Sequence, residues 1–209
     1  MFRTLKLPRK FALLLVCSTL LVSCDRLLTP ETSIQELRAG QYTLDKEHAT
    51  LMFKINHLGF STYIGRFNEF DANLDFDPEN VADATLEVIV NTSSIDVNNP
   101  AFSEELRGSD WFNVETFPQA VFKTTSLLES DENSFVFAGD LTLLGVTQPV
   151  TLNVDFHGGG RNFLTRKYTL GFSGGVNFQR SAFGMDHLTA FGVGDDIELE
   201  IHVEFQDSN

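Results

Sequence analysis

The stretch that decides the fold is Ile197-Glu198-Leu199-Glu200-Ile201-His202-Val203-Glu204-Phe205, in which apolar and polar side chains alternate without a break. Because successive side chains of an extended strand point to opposite faces, this alternation indicates a strand with one buried and one solvated face. A surface helix would instead place its apolar residues three and four positions apart. The stretch therefore predicts a half-buried β-strand.

Seven segments upstream carry the same period-two pattern. No helical pattern alternates with them, as it would in a parallel sheet, so about eight antiparallel strands are predicted. Eight such strands can close as a barrel or stack as a sandwich, and the pattern alone leaves both open. The seven segments lie at 51–57, 70–76 (after a bulge near Phe67), 86–90, 120–124, 135–143, 150–156 and 168–178.

One short helix is predicted at 100–107, in a connection between strands. Asn99 can cap its start, and Gly108 can end it. Phe102 and Leu106 are four residues apart, so they share the face that would press onto the sheet. The predicted fold class is therefore all-β, with one or two short helices in loops.

The N-terminal residues resemble a bacterial secretory signal. Four basic residues precede an apolar core from Phe11 to Val22, which is too short to cross a bilayer as a helix. Ser23-Cys24 then resembles a lipobox, in which the cysteine thiol receives a diacylglycerol and the cysteine becomes the new N-terminus. Palmitate-type acyl chains would anchor such a protein. The alternative is an ordinary signal peptide with an incidental cysteine, but no A-x-A-like cleavage site lies nearby.

This interpretation divides the chain into three parts. Residues 1–23 are a lipoprotein signal peptide that is removed, residues 24–40 are the lipidated N-terminus and a polar linker, and residues 41–207 are the β-domain. A helical turn is expected at 33–38 in the linker. Cys17 leaves with the signal peptide, so the mature chain keeps Cys24 alone and forms no intramolecular disulfide. The expected location is the bacterial cell envelope, facing the periplasm, on either the inner or the outer membrane.

The chain is acidic. Its formal charge of −14 becomes −18 when a signal peptide with four basic and no acidic residues is removed. Such a charge repels nucleic acid and anionic lipid headgroups, so no nucleic-acid partner is expected. Membrane attachment is expected to depend on acyl chains rather than on a basic patch.

Composition and motifs argue for an apolar interior without catalytic machinery. The chain has 20 Phe against 3 Tyr and 1 Trp, and Phe buries area without a polar group. The five histidines form no closely spaced ligand pair, and no G-x-S-x-G motif is present. No metal site and no catalytic residue are therefore predicted.

Two polar residues interrupt apolar strand faces. His57 continues the face of Leu51, Phe53 and Ile55, and Arg180 follows Phe178 in register. At a barrel mouth, both could contact the polar head of a ligand. Arg180 could equally form a salt bridge with a carboxylate at the end of the barrel.

From about Tyr42 to Phe205 the chain resembles the YceI-like family of bacterial periplasmic polyisoprenoid-binding proteins. Six stretches in order carry the resemblance, although Trp111 stands where the family often has Phe. They are His57-Leu58-Gly59-Phe60-Ser61 with Gly65-Arg66-Phe67; Ser93-Ser94-Ile95-Asp96; Leu106 through Asp110-Trp111-Phe112; Phe117-Pro118-Gln119-Ala120-Val121-Phe122; Gly139 through Thr147; and Arg180-Ser181-Ala182-Phe183-Gly184.

The resemblance implies an extended, eight-stranded, lipocalin-like antiparallel barrel without known catalysis. Its apolar pore would hold an isoprenoid tail, of a polyprenyl lipid or a quinone, as cargo rather than as a cofactor. Another long-chain amphiphile is also an expected partner. The alternative is a structural or partner-binding lipoprotein whose barrel its own Phe side chains fill. A homodimer is left open in either case. His57 and Arg180 are the expected rim of the pore. The expected lining is Phe53, Ile55, Phe70, Leu74, Leu86, Val88, Phe122, Phe137, Leu141, Leu152, Phe172 and Phe178.

Overall fold

The computed structural model describes residues 29–208 of the 209-residue chain. The predicted signal peptide and Cys24 lie outside the described residues. Between residues 29 and 208, none of the helices is long and apolar enough to cross a membrane.

Strands dominate the described part of the chain. One α-helix is present there, α1 (Pro100–Arg107), with one-turn 3-10 helices at Ile34–Glu36, Val81–Asp83, Thr92–Ser94, Arg180–Phe183 and Thr189–Phe191. The β-segments are β1 (Gly40–His57), β2 (Ser61–Phe67), β3 (Phe70–Phe76), β4 (Thr85–Asn91), β5 (Ile95–Asp96), β6 (Gln119–Ser130), β7 (Ser134–Leu143), β8 (Val146–Arg161), β9 (Tyr168–Gln179) and β10 (Val193–Asp207).

These ten segments form eight strands of a closed antiparallel barrel. The ring order is β1-β3-β4-β6-β7-β8-β9-β10, and β10 pairs back with β1 from Tyr42↔Asp207 to His57↔Val193. β2 continues β3 alongside β1, and β5 continues β4 alongside β2. The predicted eight-stranded barrel is confirmed, and closure excludes the sandwich.

Interruptions of the strands keep apolar side chains inside the barrel. Tyr63 and Phe67 of β2 face inward, and after Asn68 and Glu69 the inward positions resume at Phe70. Phe67 and Phe70 are three positions apart, so in an unbroken strand they would face opposite sides of the sheet. The break between them lets both side chains face inward. Where a bulge was expected near Phe67, the structure has a break between β2 and β3 at Asn68 and Glu69.

A larger bulge lies in β1. Leu44 pairs with Phe205 and Ala49 with Val203, so residues 45–48 stand opposite Glu204 alone. The bulge lets the buried Leu44 and the buried Leu51 both face inward, although seven positions separate them.

Helix α1 begins and ends where the sequence predicts. The Asn99 Oδ1 accepts a hydrogen bond from the Phe102 N–H at 3.2 Å, and Gly108 caps the C-terminus. Leu106 is buried, and the Nε of Arg107 donates to the Ser93 carbonyl at 2.7 Å. The helix therefore covers part of one end of the barrel, called here the α1 end, together with the β1–β2 turn and the loop at 180–192.

The opposite end, called here the β8–β9 end, is covered by the N-terminal segment. The predicted helical turn is present at Ile34–Glu36, and Ile34 and Leu37 are buried. Glu31 exchanges two backbone hydrogen bonds with Gly159, at 2.7 and 2.8 Å. The residues expected to form a linker at 24–40 thus belong to the barrel from Glu31 onward.

Candidate functional site

The barrel interior holds two apolar cavities. The first, of about 160 Å³, lies toward the β8–β9 end, and the second, of about 310 Å³, lies toward the α1 end. Ligand pockets in proteins typically enclose roughly 300–1,000 Å³. The two cavities adjoin, because five residues line both of them: Leu51, Val90, Ala120, Leu141 and Leu199.

All twelve residues expected to line a pore lie in the walls of these cavities. The phase deduced from alternation therefore places each side chain toward the interior, including those of β9 on both sides of Gly174. Leu141 lines both cavities, and Phe53, Ile55 and Phe178 line the second. The first is lined by Phe70, Leu74, Leu86, Val88, Phe122, Phe137, Leu152 and Phe172.

Much of the second cavity's wall comes from outside the strands. Phe102 and Leu106 of α1 contribute, as do Trp111 and Phe112 in the following turn. The ring of Phe112 meets that of Phe67 edge-on at 5.5 Å, and Phe102 meets Trp111 in the same way at 6.4 Å. The shared face of Phe102 and Leu106 was the sequence signal for this wall, whereas Trp111 and Phe112 carry no periodic pattern.

Two glycines leave room for aromatic rings against the barrel wall. A Cβ at Gly65 would lie 2.3 Å from the Phe53 Cζ, and one at Gly139 would lie 2.3 Å from the Phe122 Cε2. Any larger residue would push these rings toward the cavities. Glycine at these two positions therefore determines part of the cavity volume.

Arg180 lines the second cavity but is itself almost fully buried, with 1% of its surface exposed. Its Nε donates to the Gly194 carbonyl at 2.8 Å, and its Nη1 donates to the Met185 and His187 carbonyls at 2.9 Å. Burial lowers the pKa of Arg180 from its usual value, and Asp195 and Asp186 oppose that shift.

These contacts make Arg180 a clamp for the loop that precedes β10. No carboxylate among residues 29–208 comes within ion-pair distance of its guanidinium. Arg180 therefore does not form the salt bridge considered as an alternative, and its partners are backbone carbonyls instead. Trp111 adds a cation–π contact, with its ring centroid 5.6 Å from the Arg180 Cζ. The positively charged guanidinium of Arg180 is therefore held at the cavity wall by several backbone carbonyls and the Trp111 ring.

His57 lies at the surface end of the same cavity. It is exposed, its ring centroid is 5.9 Å from that of Tyr63, and both residues line the second cavity. The exposed Leu188 also lines this cavity. The second cavity therefore reaches the surface at the α1 end. The structure thus brings the two expected rim residues, His57 and Arg180, to one cavity.

The six stretches that carry the family resemblance converge on this cavity. Each contributes at least one wall residue, although the stretches span more than 120 positions of the chain. The hairpin within the fifth stretch turns through Leu144 and Gly145, both with positive φ, as a tight two-residue hairpin requires. The contributed residues are His57, Phe67, Ile95, Leu106, Trp111, Phe112, Ala120, Leu141, Leu143 and Arg180.

One group of potential metal ligands occurs within residues 29–208, at the β1 bulge. Asp45, His48 and Glu204 bring one ligand atom each within 4.8 Å of one another. The His48 Nδ1 lies 2.9 Å from the Asp45 Oδ2, which also accepts a hydrogen bond from Gln206. The Asp45 hydrogen bond, with the charge of Glu204, raises the pKa of His48. Mutual hydrogen bonding and charge attraction account for this group without an ion.

The family-model comparison settles the assignment. The model described as the YceI-like domain matches residues 42–205, nearly the whole barrel. The chain belongs to the YceI-like family. Its two cavities and the clamped loop at 180–192 are therefore features of a YceI-like barrel.

Bacterial YceI-like relatives are similar over most of their length. A UPF0312 protein of Vibrio cholerae is 33% identical over 168 residues, covering 79% of this chain and 87% of the relative. A UPF0312 protein of Yersinia pestis is 38% identical over 169 residues, covering 79% and 86%.

Solved structures show the same fold. A mutant of the Campylobacter jejuni YCEI protein is 30% identical with a TM-score of 0.65, covering 80% of this chain and 98% of that one. BcnA of Burkholderia cenocepacia is 23% identical with a TM-score of 0.68, covering 77% and 98%. A domain of Saccharophagus degradans, described as polyisoprenoid binding, is 12% identical with a TM-score of 0.59, covering 81% and 99%.

Proposed function

We propose that this YceI-like protein binds, stores or carries an isoprenoid-type lipid in its barrel without changing it chemically. The cargo would be a polyprenyl or quinone tail, and the protein would be held in the bacterial cell envelope by acyl chains on Cys24. The observation that carries the proposal is the pair of adjoining apolar cavities inside a closed barrel.

The chemistry of the walls suits a long apolar tail. Burying one CH₂ group stabilises a complex by about 0.8 kcal/mol, so several isoprene units would bind tightly through contact alone. An apolar channel discriminates poorly between tails that differ by one methylene. Selection among ligands would therefore depend on His57 and Arg180, the polar residues of the second cavity.

Family membership supports the same class of ligand. The Saccharophagus degradans domain with this fold is described as polyisoprenoid binding. The unfilled volume in the present barrel supports a cargo-carrying role over a barrel filled by its own Phe side chains.

Native mass spectrometry of the gently purified protein tests the proposal. We expect a reproducible mass adduct that organic solvent extracts and that has the mass of an unaltered lipid. A protein without adduct that takes up neither ubiquinone nor polyprenol would refute the cargo role and leave a structural or partner-binding lipoprotein. Recovery of a chemically altered ligand would indicate catalysis.

Phe172→Asp ties the adduct to the first cavity. Phe172 lines that cavity, with its ring centroid 5.4 Å from Phe156 and 6.1 Å from Phe205. A carboxylate there lacks partners and should repel an apolar tail, so uptake of ubiquinone should be lost. Phe163→Asp is the matched control, because Phe163 is 67% exposed on a hairpin tip and lines neither cavity. Equal uptake by both folded variants would place the ligand elsewhere.

A further inference from the structure

The hairpin between β8 and β9 presents two large apolar side chains to solvent. Phe163 and Leu164, in the tip at 162–167, are 67% and 76% exposed. The Asn162 Oδ1 accepts hydrogen bonds from the Leu164 N–H at 2.9 Å and the Thr165 N–H at 3.3 Å. Because the turn satisfies its own backbone groups, it holds both apolar side chains outward in a defined conformation.

The same hairpin is basic within an acidic protein. Residues 157–168 contain Arg161, Arg166 and Lys167 and no acidic residue. The neighbouring Arg38 stacks on Tyr168, with its Cζ 4.5 Å from the ring centroid. Within residues 29–208, these four cations have no carboxylate in ion-pair range, whereas the other surface cations do. The paired ones are Lys46, Lys54, Arg66, Arg107 and Lys123.

Acidic residues border this hairpin but lie outside it. Glu31 and Glu36 in the adjoining segment leave a net charge of +2 against the four cations. The acidic β6–β7 turn at 129–132 also adjoins that segment, because the side-chain amide of Asn133 lies 2.9 Å from the Thr32 carbonyl. Residues 161–167 themselves carry three cations and no carboxylate.

The chain enters the barrel beside this hairpin. Glu31 pairs with Gly159, three positions before Asn162. Glu31 follows Cys24 by only seven positions, and a chain of that length reaches at most roughly 25 Å whatever its conformation. If Cys24 carries acyl chains, as the proposed function requires, the β8–β9 end is held within that distance of the bilayer.

We infer that the tip at 162–167 docks on the anionic surface of the membrane that holds the anchor. Phe163 and Leu164 enter the boundary of the acyl chains, and Arg161, Arg166 and Lys167 contact lipid phosphates. This deepens the proposed function, on which it rests, by orienting the barrel with its β8–β9 end toward the bilayer. The α1 end also exposes apolar residues, Phe60 and Phe191, but residues 55–65 and 181–209 contain no Lys or Arg.

Tryptophan probes at the two ends test the orientation. Phe163→Trp and its matched control Phe60→Trp are placed in the full lipidated chain, whose native Trp111 is buried. The proteins are reconstituted in vesicles of phosphatidylglycerol and phosphatidylethanolamine with brominated acyl chains. We expect the emission of Phe163→Trp to shift to shorter wavelength and lose intensity, and that of Phe60→Trp to do neither.

Charge reversal tests the electrostatic part. Each basic residue near an anionic surface changes occupancy about fivefold, so Arg166→Glu with Lys167→Glu should abolish the quenching. Vesicles of phosphatidylcholine alone should weaken it. The inference would be overturned if Phe60→Trp were quenched instead of Phe163→Trp, or if neither probe were quenched in vesicle-bound protein. It would also be overturned if Phe163→Trp were quenched equally in charged and uncharged vesicles.

The two proposals fail separately. Phe172→Asp, combined with the Phe163→Trp probe, should lose its lipid adduct and keep its quenching. Phe163→Asp should keep its adduct and lose docking, measured as faster trypsin cleavage of the vesicle-bound protein after Arg161, Arg166 and Lys167. If mass spectrometry finds no acyl chains on Cys24, the tip can be tested alone. The unanchored protein should then co-sediment with phosphatidylglycerol vesicles, and the double variant Arg166→Glu with Lys167→Glu should not.

Discussion

At the scale of single residues, Gly65 shows how the cavity gets its room. It pairs directly with Phe53, whose ring occupies the space that a Cβ would take. The close atoms are all side-chain atoms, the Phe53 ring at 2.3 Å and Val97 Cγ1 at 2.8 Å. A substitution at Gly65 can therefore be relieved by moving the Phe53 ring into the second cavity.

Gly65→Ala should reduce the capacity of the second cavity. We expect weaker binding of long-tailed quinones than of short-tailed ones, with a stability cost of about 1–3 kcal/mol from overpacking. Competition between ubiquinones of different tail lengths measures the effect. Adding Phe53→Leu should restore long-tail binding, because the smaller side chain returns the lost volume. Failure of this rescue would show that the second cavity does not hold the tail.

Tyr42 makes the stability of the barrel depend on alkaline pH. Its hydroxyl donates to the Arg38 carbonyl at 2.6 Å, and burial, followed by the charges of Tyr168 and Asp207, raises the pKa of Tyr42 from 10.0 to about 12. The folded state then holds the phenol proton more tightly than the unfolded state. The stabilisation is complete below pH 10 and is lost as the pH rises toward about 12.

Tyr42→Phe should expose this dependence. Below pH 10 we expect the variant to be less stable by about 1 kcal/mol, the usual value of one hydrogen bond. The difference in free energy of unfolding should narrow between pH 10 and pH 12, when both proteins are unfolded with urea. A difference that stays constant across that window would contradict the raised pKa of Tyr42.

At the scale of elements, the β8–β9 hairpin and the N-terminal segment form one unit. A Cβ at Gly159 would lie 2.6 Å from the Leu170 Cδ2 and 2.7 Å from the Leu37 Cδ2. Glycine there lets residues 31–40 lie flat against the hairpin, with Ile34 and Leu37 buried.

Gly159→Ala should loosen the N-terminal segment. We expect faster hydrogen exchange at the Glu31 amide, which donates to the Gly159 carbonyl, because the added methyl group displaces Leu37. Gly171→Ala on the same hairpin is the control, since its nearest contact would be an ordinary 3.7 Å. Equal exchange at Glu31 in both variants would show that the segment is held by other contacts.

Strand patterns predicted most of the elements, and loop structure accounts for the differences. Alternation identified the inward face of β9 and of the segments at 51–57 and 70–76, because burial of one face enforces a period of two. The strand β2, at Ser61–Phe67, was not among the predicted segments. Nothing periodic marks Trp111 or Phe112, whose places depend on distant partners such as Phe67. Ile34 and Leu37 were assigned to a linker because two apolar residues in a polar stretch form no pattern.

Charge was the property that composition described least well. The net charge of −14 suggested repulsion from anionic lipid, yet Arg161, Arg166 and Lys167 gather on one hairpin. An average over the chain says nothing of how charges are distributed on the fold. The guanidinium of Arg180 likewise has carbonyl partners from a loop whose path the sequence does not predict.

At the scale of the whole molecule, the anchor and the cavity should act independently. Cys24→Ala should release the protein from the membrane fraction, because no other acyl attachment is expected. Its lipid adduct should remain, because the cavity walls are built from residues 51–205. Fractionation with mass spectrometry of both pools measures the two properties. Retention of the variant in the membrane even when Arg166→Glu and Lys167→Glu remove the basic charge of the tip would argue against the lipobox.

The pairing of β1 with β10 also governs when a cavity can exist. Tyr42 and Asp207 are 165 positions apart, and their strands form the seam that closes the ring. Contacts between such distant segments make folding slow, because a long loop must be ordered before they form. If the chain is exported and carries cargo, as proposed, it would stay open until its last strand had crossed the membrane. Cargo would then be enclosed only after translocation is complete and β10 has paired with β1.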